Sequence, residues 1–230
     1  MRSAGCVIND IADRKVDGHV ERTCQRPLVT GEITLKQAVI LFLILSVTSF
    51  LLVLSLDWYT IALAPVGLML AVSYPFAKRY THLPQLHLGI AFGWAIPMAF
   101  MAVQGEVPLL AWGLYLITAI WAVAYDTLYA MVDREDDLKI GVKSTAILFG
   151  RFDRVAVFIL QIVILMGLVV IGIHENLNLI YYSAIAVAGA LVIYQQWMIR
   201  ERQKALCFKA FLNNHWFGLV VFIGVIVGYV

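Results

Sequence analysis

The chain has 230 residues, of which 62% are hydrophobic and only 14% charged, and its mean hydropathy is +0.85. Soluble domains are about 45–50% apolar and about 25% charged, so this composition excludes a water-coated globule; it equally excludes a disordered chain, which needs low hydrophobicity and high charge. Three cysteines, an odd number, do not make a secreted disulfide scaffold, and a net charge of +2 gives no reason to invoke nucleic acid. An all-α polytopic membrane bundle remains.

In chain order, residues 1–8 are too short to cross a bilayer and carry Arg2. They read as the last turns of a half-helix that reaches the cytoplasmic side at Asn9, the rest of it missing, so an N-terminally truncated chain is expected. Apolar runs long enough for a hydrocarbon core of about 30 Å follow at 37–56, 58–77, 86–103, 107–130, 155–173, 178–199 and 210–230. They lack the strict alternation of an outer-membrane barrel, and helices satisfy the backbone in lipid. Residues 1–230 are expected to form one integral membrane domain of about seven spans plus the half-helix.

Basic residues set the sidedness. All 17 lysines and arginines fall before the first span or in alternate connections: six before it, then Lys78 and Arg79, then Arg134 to Arg154, then Arg200 to Lys209. The intervening connections hold none, and by the positive-inside rule the basic side is cytoplasmic. The three cysteines lie near that side and read as reduced thiols.

Two acidic clusters occupy the same side. Asp10, Asp13 and Asp17 follow Asn9 at i, i+3, i+7, and Asp126, Asp133 and Asp137 lie at i, i+7, i+11, so each set forms one helical stripe. A solvated helix end explains them poorly, because like charges at such spacings destabilise a helix and Asp126 lies inside an apolar run, where an ionisable group is costly and functional by default. Hard oxygen ligands without a His or Cys pattern suit Mg²⁺, which binds one or two carboxylates plus substrate phosphates. Arg22, Arg26 and Lys78 stand where phosphate oxygens would need them, although each also serves as a membrane anchor. The five histidines have no metal-like spacing.

The segments Asn9-Asp10-x-x-Asp13-x-x-x-Asp17, Arg22-Thr23-x-x-Arg26-Pro27-Leu28, Tyr74-x-x-x-Lys78 and Asp133-x-x-x-Asp137 resemble the motifs of UbiA-type membrane prenyltransferases. The stretches 78–85, 91–98, 121–133 and 143–150 are similar to the branch of that family that prenylates 4-hydroxybenzoate. The resemblance implies a bundle with a central cavity, Mg²⁺ held by Asp13, Asp17, Asp133 and Asp137, and a polyprenyl diphosphate, commonly octaprenyl, bound with the help of Asn9, Asp10, Arg22, Arg26, Tyr74 and Lys78. It implies transfer to the ring carbon ortho to the hydroxyl of 4-hydroxybenzoate, in ubiquinone synthesis at the bacterial inner membrane. Asp126 is expected to orient the phenol or take a proton, and Arg79 to meet the acceptor carboxylate. Phe92, Trp94, Trp121 and Tyr125 are set against ordinary helix packing as cavity-lining aromatics. Competing readings are a sister enzyme with another aromatic acceptor, an inactive fragment, and an ion-coupled transporter; the last places its site near the midplane, often in repeated halves. Nothing points to an obligate protein partner.

Overall fold

Helix limits fall where capping side chains and glycines put them. A computed structural model describes residues 1–20 and 22–230. In it, α1 (Arg2–Asp13) leads through a 3₁₀ turn at Asp17–His19 to the short α2 (Pro27–Thr30). Helix α3 (Leu35–Val53) starts on a capping box: Thr34 Oγ1 accepts from Gln37 N–H at 3.3 Å, and Gln37 Oε1 accepts from Thr34 N–H at 2.8 Å. Asp57 caps α4 (Trp58–Tyr80), Ser144 caps α8 (Thr145–Phe149) and Asn178 caps α10 (Leu179–Met198). Between them lie α5 (Pro84–Gly93), α6 (Ala95–Gln104), α7 (Leu109–Ile140) and α9 (Asp153–His174), and α11 (Lys204–Gly228) closes the chain. Gly105 and Gly141 end α6 and α7 at φ 75° and 73°, a left-handed conformation that glycine adopts without a Cβ clash.

Among the described residues, seven helical stretches are long and apolar enough to cross a membrane. The protein is therefore an all-α, multi-pass membrane protein, with α1 as the additional half-helix. Two details depart from the apolar-run reading. The third span is two helices, α5 and α6, that meet at Trp94. Pro97 has no N–H for the Gly93 carbonyl four residues back, which loosens the ladder there. The fourth span does not stop where its apolar run ends: α7 continues ten residues past 130 to Ile140, so the second acidic stripe stands on rigid helix.

Helix α7 is the hub, packed against α5, α6, α8, α9 and α11, while α10 fills the angle between α9 and α11. The α5–α7 contact is close because small residues meet there. A Cβ added at Gly89 would come 2.6 Å from the Ala119 carbonyl oxygen and 3.0 Å from the Ala122 Cβ. Gly89→Ala is therefore expected to push α5 off α7 and to destabilise the protein by about 1–3 kcal/mol, read as a lower unfolding temperature in detergent micelles. Tyr181 is buried at the far end, with its hydroxyl on the Leu168 carbonyl at 2.7 Å. Large side chains such as Leu43, Ile44, Val47 and Leu51 of α3 remain on the outside, as a lipid-facing surface requires.

Two polar clusters inside the bundle satisfy one another, because an unpaired polar group is costly where water is lacking. Gln161, Gln195, Gln196 and Asn213 form an amide chain that ties α9, α10 and α11, with donor–acceptor distances of 2.7–3.0 Å. Near the C-terminal end of α7, the fully buried Asp153 carboxylate accepts from Arg134 at 3.0 Å and from Arg202 at 2.8 Å. Arg134 also donates to the Ala146 and Gly150 carbonyls. This cluster fixes the 141–152 connection to α7, α9 and the start of α11.

Candidate active site

The end of α1 and the turn after it bring one set of acids inward. Asp13 is buried, and its Oδ2 accepts from Lys78 Nζ of α4 at 2.5 Å. Its Oδ1 has no hydrogen-bond partner. Asp17 is also buried; its carboxylate accepts from Arg26 at 2.9 Å, and its carbonyl accepts from the Thr23 hydroxyl at 2.9 Å, which holds the turn closed. The same Arg26 nitrogen meets Asp10 at 2.8 Å. Burial raises the pKa of Asp13 against the opposing pull of Lys78, and it raises that of Asp10 against Arg26.

The second set stands on α7. Asp126, Tyr129, Asp133 and Asp137 are spaced i, i+3, i+7, i+11 on one face that rises about 16 Å along the helix axis. Arg22 joins the two sets: its Nη2 donates to Asp133 Oδ2 at 2.8 Å, and its guanidinium carbon lies 4.2 Å from the centre of the Tyr129 ring. Burial alone would lower the Arg22 pKa, but the hydrogen bond to Asp133 and the surrounding negative field outweigh it and raise the value. From α4, Tyr74 and Lys78 stand one turn apart on the same side, and the Lys78 carbonyl accepts the backbone N–H of Lys143 at 3.0 Å.

These groups surround one cavity of about 280 Å³. Asn9, Asp13 and Asp17 line it from the N-terminal segment; Asp126, Asp133 and Asp137 line it from α7; Arg22, Arg26, Tyr74 and Lys78 complete the set. Two residues from the sequence reading are not brought to its wall. Asp10 stays behind Arg26, and Arg79 turns away to donate to the Ala12 carbonyl at 2.7 Å, with its guanidinium near the Phe76 ring. Nor do the four aromatics line this cavity. Trp94 packs edge-on against Trp112 and Tyr115, Phe92 is half exposed, and Trp121 and Tyr125 pack with Phe217 and Phe211. Trp121 instead borders a separate apolar cavity of about 260 Å³ between α7, α9 and α11. Gln85, Tyr129, Lys143 and Ser144 line the acidic cavity and were not singled out in sequence. A glutamine beside Pro84 at the start of an apolar run was the one available signal.

A divalent ion suits this donor set. The liganding atoms on offer are carboxylate oxygens, the hard donors that Mg²⁺ takes, and the buried, unpartnered Oδ1 of Asp13 is an acceptor with no satisfying group of its own. Among the described residues, no three His, Cys, Asp or Glu side chains form a ready metal cage. That fits an ion bound by few carboxylates and completed by substrate phosphates rather than an all-protein site.

Paired acids and cations meet in one cavity at one end of a multi-pass helical bundle, an arrangement suited to an enzyme of the membrane. The chain belongs to the UbiA prenyltransferase family, whose model matches residues 1–222. Its full length aligns at 58% identity with the 4-hydroxybenzoate octaprenyltransferases of Vibrio campbellii and Methylococcus capsulatus, covering 81% and 78% of those proteins. A counterpart from Xanthomonas campestris is 55% identical over 97% of the chain. Among solved structures, a UbiA homolog from Aeropyrum pernix superposes with a TM-score of 0.87 at 28% identity, covering all of this chain and 86% of that one. A UbiA homolog from Archaeoglobus fulgidus, in a structure bound to GPP and Mg²⁺, shares the fold with a TM-score of 0.66 at 18% identity.

Proposed function

We propose that the protein transfers a polyprenyl group, octaprenyl in its relatives, from polyprenyl diphosphate to the ring carbon ortho to the hydroxyl of 4-hydroxybenzoate, as a step in ubiquinone synthesis. The observation that carries this reading is the convergence of acids from two separate segments, with three interleaved cations, on one cavity. The names of the relatives support the acceptor and the tail length, and the ligands of the Archaeoglobus fulgidus homolog support a prenyl diphosphate with Mg²⁺.

Asp13, Asp17, Asp133 and Asp137 would hold Mg²⁺, which when bound would supply positive charge to the departing diphosphate. Arg22, Arg26 and Lys78 already point into the cavity from their acid partners and take phosphate oxygens directly, Arg22 and Arg26 as planar forks and Lys78 as a point charge. Fixed cations aimed at a leaving group stabilise the charge that develops there, commonly the largest contribution to such catalysis. Asn9 supports the first acidic stripe, and Tyr74 stands beside Lys78 as part of the wall. The C–O bond to diphosphate breaks with its electron pair on oxygen; the ring carbon of the acceptor forms the new C–C bond, and the ring loses its proton. Asp126, deeper on α7 than Asp133, orients the phenol and takes a proton.

The tail runs into the apolar layer, and the acidic end faces the cytoplasm across the bacterial inner membrane, where all the basic connections lie. The test is incubation of membranes carrying the chain with 4-hydroxybenzoate, an octaprenyl diphosphate and Mg²⁺, with product identified by mass. Ring-prenylated 4-hydroxybenzoate is expected; exclusive prenylation of a naphthoate or homogentisate offered beside it would contradict the reading.

A further inference from the structure

Asp126 has a neighbour to which the mechanism above gives no task. Gln85, in the first turn of α5, is buried and lines the same cavity. Its Oε1 accepts the backbone N–H of Thr145 at 3.1 Å. A backbone N–H can only donate, so the amide oxygen is fixed on that side and the amide nitrogen faces the other way. On that other side lies the cavity that Gln85 and Asp126 both line. Thr145 cannot drift: it is fully buried, and its hydroxyl meets that of Thr127 at 2.7 Å, while the Thr127 hydroxyl sits 2.6 Å from the Val123 carbonyl. The orientation of one glutamine amide is thus tied to α7 on both sides of the carboxylate.

An amide NH₂ has two hydrogens to donate. Asp126 is half-buried and lines the cavity with Gln85. The wall of one cavity therefore carries an amide donor and a carboxylate acceptor. That arrangement matches a hydroxyl, which offers one hydrogen and accepts through its lone pairs. We propose that Gln85 is a specificity-determining residue that reads the aryl hydroxyl of the acceptor, donating to it while Asp126 accepts its proton. This rests on the phenolic acceptor assigned above. An arylamine at the same place satisfies Asp126 but accepts poorly, because its lone pair is delocalised into the ring, and it leaves the Gln85 donor unpaired.

The experiment compares membranes carrying the full chain, Gln85→Met and Gln85→Glu. It measures KM for 4-hydroxybenzoate, KM for octaprenyl diphosphate, and the inhibition constant of 4-aminobenzoate. Loss of one hydrogen bond is expected to raise the 4-hydroxybenzoate KM about tenfold in Gln85→Met. The 4-aminobenzoate constant and the diphosphate KM are expected to stay within about twofold, because neither ligand uses that bond. Gln85→Glu, which still accepts from Thr145 but puts a carboxylate oxygen where the amide NH₂ stood, is expected to weaken 4-hydroxybenzoate at least as much. An unchanged 4-hydroxybenzoate KM in Gln85→Met would overturn the inference while leaving the prenyl-transfer reading intact. So would a parallel rise in all three constants, or loss of all turnover in both variants, since either marks a role in holding the fold. An unsubstituted chain inert toward 4-hydroxybenzoate would overturn the functional reading and this inference together.

Discussion

Asp133→Ala and Asp13→Ala are each expected to lower the rate of prenyl transfer by about a thousandfold, the upper range for losing one electrostatic contact to a developing charge. The two residues come from elements 120 positions apart in the chain, yet they line one cavity. Asp133→Ala also releases Arg22, which is held at 2.8 Å, and so disturbs the proposed ion ligand and the proposed phosphate ligand at once. Asp13→Ala releases Lys78 in the same way. Because each acid serves the same leaving group, the double variant is expected to be little worse than either single one; residues that act as a unit do not add. Asp133→Asn keeps the size and removes the charge, and it separates the two causes: activity near that of the parent would assign Asp133 to packing. Initial rates in membranes with radiolabelled 4-hydroxybenzoate, normalised to folded protein, provide the comparison.

Asp153→Ala is expected to have the largest effect on stability without touching the cavity wall. The carboxylate has no exposed surface and accepts from Arg134, Arg202 and the Arg154 backbone N–H. Its removal leaves two guanidinium groups facing a buried gap, and breaking such a pair costs about 3–5 kcal/mol. Arg202 is partly exposed, so water recovers part of that, and the lower end of the range applies. The 141–152 connection should loosen with it, because Arg134 holds the Ala146 and Gly150 carbonyls. Thermal unfolding in detergent should show a clear drop for Asp153→Ala, whereas Glu201→Ala, at an exposed pair with Arg200, should be near neutral. Equal unfolding temperatures for the two would contradict the assignment.

How much of this was legible beforehand depends on the kind of signal. Span count and fold class follow from apolar run length and the alternation of basic connections, both of which report directly on the bilayer, and all seven spans appear in the structure. The helical spacing of Asp126, Asp133 and Asp137 carries α7 beyond its apolar run, because hydropathy marks where lipid stops, not where the helix stops; Gly141 terminates it. The acidic stripes were visible because clustered like charge is costly and stands out. Arg79 and Lys78 are neighbours in sequence and equally basic, but a rotation of about 100° per residue turns one to the cavity and the other to the Ala12 carbonyl. Gln85 and Lys143 carry no such mark in sequence: one is neutral and the other looks like any anchoring lysine. Their positions depend on how the 141–152 connection folds back onto α4 and α5 through Thr145 and the Lys78 carbonyl.

The proposed reaction requires carboxylates from α1 and its following turn and from α7 to act together through a divalent ion on a prenyl diphosphate. The most direct test is the prenylation rate of washed membranes in EDTA, followed by stepwise return of Mg²⁺. No product in chelator and recovery that saturates with Mg²⁺ is the expected result. Undiminished prenylation of 4-hydroxybenzoate in the absence of any divalent ion would contradict it.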